Sequence, residues 1–188
     1  MEKTAVQKLA GALKVLVTIT LVCNLVALLL VPGMSLMKGP EELLALTPYE
    51  NPLEVPLRVG IAFVLSWGWV WTAGVYEVVL ALFLLFCGIC TAVILWQGRR
   101  VLGTILTGAP FRAENGVSLR RAAVCCFLIA AAALARVVWG LFYYGSVAPL
   151  LTYNALFVPI FILGGLLCLV MSALFRQAAE LKAENDLT

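Results

Sequence analysis

Four apolar runs, each long enough to cross a bilayer, leave this chain of 188 residues little freedom in what it can become. A transmembrane helix needs about 20 consecutive apolar residues, and four such segments with their connections use up nearly the whole length. No room remains for a soluble catalytic domain. With 63% hydrophobic and 12% charged residues, the composition lies well outside the soluble range. The chain therefore reads as an all-α, polytopic integral membrane protein.

The runs place spans at about 14–31, 75–97, 122–144 and 150–175 of a single membrane domain, 1–188. Lys3, Lys8 and Lys14 precede the first run and give it the look of a secretory signal. Pro32-Gly33-Met34-Ser35-Leu36 offers no small-x-small cleavage site, so the expectation is a retained first span. The apolar stretch from Gly60 to Trp96 would make a continuous helix of about 55 Å, nearly twice the hydrocarbon thickness. It must be divided. Trp67, Trp69 and Trp71, with Gly68 and Gly74, mark its first part as an interfacial or re-entrant segment, and Val75 to Trp96 has the length of a span.

Charge sets the expected topology. Basic residues exceed acidic ones at the N-terminus (Lys3, Lys8 and Lys14 against Glu2) and in the central connection (Arg99, Arg100, Arg112, Arg120 and Arg121 against Glu114). Positive-inside counting puts both in the cytoplasm. Between them, Lys38 and Arg58 face Glu41, Glu42, Glu50 and Glu54, and prolines recur at 32, 40, 48, 52 and 56. That pattern predicts an acidic, Pro-rich external loop over 32–74, a cytoplasmic loop over 98–121 and a cytoplasmic tail over 176–188, with both termini inside. The expected location is the cell membrane, crossed several times. The net charge of +3 is too polarised to suggest direct nucleic-acid binding.

Catalytic chemistry finds few of its usual parts. The chain contains no histidine, which removes Ser-His and Cys-His dyads, His-ligated metals and an imidazole base. Cys87-x-x-Cys90 has redox or zinc spacing but sits within a predicted span without a second pair, and all six cysteines fall in apolar runs. They read as small packing residues. No Gly-rich phosphate loop is present. The expectation is a protein that is not an enzyme and has neither cofactor nor metal.

Two features stand out within the spans. Small residues recur at Ala122, Cys126, Ala130 and Ala133 on the third and at Gly164, Cys168 and Ser172 on the fourth, ladders that let helices pack closely within the chain or between copies in a homo-oligomer. Glu77 and Arg136 are ionisable groups expensive to leave in hydrocarbon, and they form a candidate intramembrane ion pair. If the two lined a hydrated path, the chain would instead be a small transport or channel component.

The distinctive segments flank the third and fourth spans. Gly108 to Asn115 reads Gly-x-Pro-Phe-x-x-Glu-Asn, followed by Leu119-Arg120, and the tail reads Leu-Lys-x-Glu-Asn-Asp-Leu-Thr from Leu181 to Thr188. Pro110 can open a helix and Phe111 can anchor it at the membrane surface. Arg176 with Glu180, and Lys182 with Asp186, have the spacing of helical ion pairs.

In these two motifs and in its hydropathy layout the chain resembles the bacterial four-span membrane proteins catalogued as domain of unknown function 2975. Gly116 and Ser118 depart from the pattern, standing where better helix formers are expected. The family has no established activity, but its members are often encoded beside a small Cro-like helix-turn-helix regulator. The resemblance therefore implies a sensor or regulator that docks a small DNA-binding protein in the cytoplasm. Carried onto this sequence, the docking positions are Pro110, Phe111, Glu114, Asn115 and Arg120 in the loop and Glu184, Asn185 and Asp186 in the tail. A structural role competes: the loop closes against the tail, and Asn and Asp terminate helices.

Overall fold

The computed structural model describes residues 5–36, 54–109 and 111–185, all of them helix or short connection. The helices are α1 (Ala5–Leu36), α2 (Glu54–Trp69), α3 (Val75–Leu106), α4 (Ala113–Tyr144) and α5 (Tyr153–Asn185), with 3-10 turns at Val70–Thr72 and Ala148–Leu151. Four of them, α1, α3, α4 and α5, are long and apolar enough to cross a membrane. At 16 residues, α2 spans only about 24 Å, short of the hydrocarbon thickness. The acidic and Pro-rich stretch from Glu41 to Pro52 lies outside the described residues.

The long Gly60–Trp96 stretch is divided where its glycine suggests. After the turn at Val70–Thr72, Ala73 is extended (φ −73°, ψ 178°), and α3 starts beyond Gly74 at Val75. Glu77 falls in the first turn of α3, and a Cβ added to Gly74 would lie 2.5 Å from its Oε2. A carboxylate there offsets the positive end of the helix dipole.

The helices outrun the expected spans. With 32 residues each, α1, α3 and α4 reach about 48 Å, so most of the expected loop 98–121 is helical. Helix α3 ends where Gly108 takes a left-handed φ of 76°. The Gly108 N–H then donates to Ile105 O at 3.1 Å and the Ala109 N–H to Thr104 O at 3.1 Å, a Schellman closure. Gly145, also left-handed (φ 58°), caps α4 after Tyr144. The fourth span was expected from Leu150, but Pro149 opens a 3-10 turn and α5 begins only at Tyr153. At the other extreme α1 continues through Pro32 to Leu36. Pro32 is fully buried, so packing offsets the hydrogen bond its missing N–H cannot make.

Packing divides the chain into two compact units, Met1–Asn24 with Cys87–Thr188, and Leu25–Phe86. In the smaller unit, α2 and its turn pack on the end of α1 and the start of α3. Val31, Val70 and Ala81 form a core there, flanked by Leu84 and Leu85. The Trp67 indole N–H donates to Leu29 O at 3.1 Å, and a Cβ on Gly33 would collide with the Phe63 ring.

In the larger unit the helices form antiparallel neighbours in chain order. Gly11 faces Leu106 and Lys14 faces Gly103 between α1 and α3, in a constant antiparallel register. The α4–α5 hairpin is extensively packed along its length. Ala122, Cys126, Ala130 and Ala133 are all buried, and Cys126 Sγ approaches Gly164 at 4.0 Å from where a Cβ would stand. The two ladders therefore face each other within the chain. Cys126 and Cys168 lie near each other across this seam, as Cys90 and Cys125 do between α3 and α4. Among the described residues no group of three or more His, Cys, Asp or Glu side chains could hold a metal ion.

Candidate functional site

The turn between α3 and α4, the C-terminal part of α5 and the N-terminal part of α1 meet at one end of the larger unit, here termed the basic end. Arg112 is the extended N-cap of α4, and Glu114 lies in its first turn, where a carboxylate suits the helix dipole. Glu114 Oε2 sits 3.8 Å from Arg100 Nη2 of α3, with both side chains more than half exposed. Such a pair contributes at most about 1 kcal/mol.

The neighbouring asparagine has a different environment. Asn115 is 1% exposed, and its Nδ2 donates to Thr104 Oγ1 at 2.7 Å. The Thr104 hydroxyl donates in turn to Val101 O at 2.7 Å. This relay ties the last turns of α3 to the first turn of α4. One residue on, Gly116 allows α5 to approach: a Cβ there would lie 2.8 Å from Arg176 Cγ and 3.1 Å from Ser172 O. Ser172 Oγ donates to Gly116 O at 2.7 Å, a buried bond between helices. Ser118 is also buried. Of the two departures from the loop pattern, Gly116 is thus a close-packing position, where helix propensity is outweighed by the room α5 requires, and Ser118 is a buried one.

The other docking candidates divide by exposure. Phe111 is half-exposed and packs on Phe175 of α5, with ring centroids 6.3 Å apart. Arg120, Glu184 and Asn185 are exposed. Pro110 and Asp186 lie outside the described residues, and with Asp186 the expected Lys182–Asp186 pair. Along the end of α5, Glu180 and Leu181 are exposed as well, Leu181 at 63%. The loop thus closes against α5 through Phe111 and Gly116, and Glu114, Arg120 and the last two turns of α5 remain on the surface.

A second feature at this end is a cleft of about 300 Å³ lined by Lys14, Trp96, Arg99, Arg100 and Gly103. The α3 residues follow the i, i+3, i+4, i+7 spacing of one helical face. That stripe was present in the sequence, but charge counting used its arginines only to orient the chain. Within the spans, Arg136 Nη1 donates to Asn154 Oδ1 at 3.2 Å, joining α4 to α5. Glu77 belongs to the smaller unit, in the first turn of α3.

The model of the family described as "Protein of unknown function (DUF2975)" matches residues 45–188. The chain belongs to this family. In this DUF2975 protein the matched region takes in α2 to α5 with both Glu-Asn motifs, and α1 with Lys14 precedes it. Comparisons with curated proteins and with solved structures gave no match.

Proposed function

We propose that this chain is a non-enzymatic membrane sensor or regulator, oriented with its basic end in the cytoplasm of a bacterial cell, that docks a small helix-turn-helix DNA-binding protein there. The observation that carries the reading is the reach of α5. Its 33 residues extend about 50 Å, and beyond Arg176 they expose Glu180, Leu181, Glu184 and Asn185. Glu114 adds a further exposed carboxylate at the same end.

DNA-binding domains carry a basic face that meets phosphates. Exposed carboxylates around an apolar residue, Leu181, offer such a face a competing partner, and occupying it would restrain the regulator from DNA. Asn115 contributes by holding the loop, since its amide is buried. A transport role draws less support, because Arg136 is engaged by Asn154 across the α4–α5 seam.

Affinity purification of the full chain from its native membrane, with identification of co-eluting proteins, tests the proposal. Wild type should retain a small DNA-binding protein, and Glu114→Lys with Glu184→Lys should release it. Capture that survives this charge reversal would remove the docking surface from consideration.

A further inference from the structure

The cleft between α1 and α3 is a cation-lined recess at a helix end, next to a tryptophan. Lys14 Nζ stands over Gly103, 3.5 Å from where a Cβ would project. One turn along α3, the Arg99 guanidinium lies 5.9 Å from the centre of the Trp96 ring. Arg100 completes the lining, and its one carboxylate neighbour among the described residues is the exposed Glu114. Three cations thus line a recess of about 300 Å³ with a single acidic counterpart among the described residues, Glu114, 3.8 Å from Arg100.

Position and chemistry narrow the ligand. Tryptophan at the end of a membrane-spanning helix marks the headgroup level, and Trp96 is 55% exposed. Lysine and arginine together favour a phosphate, the arginines through forked hydrogen bonds and the lysine as a point charge. Basic pockets between transmembrane helices are suited to anionic headgroups. Gly103 keeps the floor open. We propose that this cleft binds the phosphate of one anionic phospholipid, with Lys14, Arg99 and Arg100 as its ligands and Trp96 beside the glycerol backbone. The site is independent of any docked protein.

The test is native mass spectrometry of the full chain released from nanodiscs of equal phosphatidylglycerol and phosphatidylcholine. Wild type should keep one phosphatidylglycerol in preference to phosphatidylcholine. Lys14→Gln, Arg99→Gln and Arg100→Gln should each lower its retention by about fivefold. Gly103→Leu should lower it comparably by filling the recess without changing charge, in a protein whose helical content is intact by circular dichroism. Arg112→Gln with Arg121→Gln, which neutralises two exposed arginines at the start of α4 outside the cleft, should leave retention unchanged. An equal loss in that control, or full retention in Gly103→Leu, would reduce the binding to diffuse surface charge and overturn the site. Competition by millimolar inorganic phosphate would assign the cleft to a soluble anion and overturn the lipid.

Discussion

At the basic end, two antiparallel helix pairs use glycine in opposite ways. Between α4 and α5, Gly116 lets a neighbouring backbone come so close that Ser172 hydrogen-bonds across the gap, and the space is filled. Between α1 and α3, Gly103 lies under the ammonium of Lys14 beside an open cleft. The α4–α5 seam gains van der Waals contact and a buried hydrogen bond, the main sources of helix association in lipid. The α1–α3 pair forgoes packing at this level and leaves three cations around a recess. A small residue in a membrane helix therefore marks close approach in one place and room for something else in another, and only its neighbours distinguish the two.

The contrast can be broken most forcefully at Gly116. Gly116→Ala should destabilise the protein by about 2 kcal/mol, because the added Cβ meets the Ser172 carbonyl and the Arg176 stem and forces the helices apart; unfolding in mixed micelles followed by circular dichroism measures it. Gly103→Ala is the matched substitution at the open seam. Its Cβ meets only the lysine terminus at an ordinary distance, so stability should be unchanged or rise by up to about 1 kcal/mol from helix propensity. Equal losses at the two glycines would erase the distinction.

Smaller effects sharpen it. Asn115→Leu should cost about 1–2 kcal/mol by leaving the Thr104 relay without its donor. Combined with Thr104→Val the losses should be less than additive, which a double-mutant cycle in the same unfolding assay reads directly. Ser172→Ala should cost about 0.6 kcal/mol, the usual scale of a hydrogen bond between helices in a membrane. Glu114→Gln, which breaks an exposed pair with Arg100, should change stability by less than about 1 kcal/mol.

Much of the architecture was legible. Run lengths located the four long helices, and Gly74 with the excess length of Gly60–Trp96 located the break before α3. The expected end of the third span at 144 coincides with the end of α4. The paired small-residue ladders were visible because helical spacing projects onto a face whatever the partner. Helix ends were less legible. Beyond Gln97 polar residues end the span as a hydrophobic segment, but not the helix, which needs a left-handed residue such as Gly108 to stop it.

The candidate site was legible as a location and not as an arrangement. The two Glu-Asn motifs look alike in sequence, yet Asn115 is buried against Thr104 and Asn185 is exposed on the last turn of α5. Gly116 and Ser118 looked like lapses in a helix; Gly116 proved to be a place where α5 comes close, and Ser118 proved to be buried.

The sequence by itself determined that this chain is a multi-pass, all-helical membrane protein of the DUF2975 family, because hydropathy and helical periodicity are local properties that a bilayer reads directly. Only the tertiary structure decided which polar residues lock helices together and which remain available. That choice depends on residues distant in sequence, as Ser172 is from Gly116 and Lys14 from Gly103, and on whether the space between them is filled or left open.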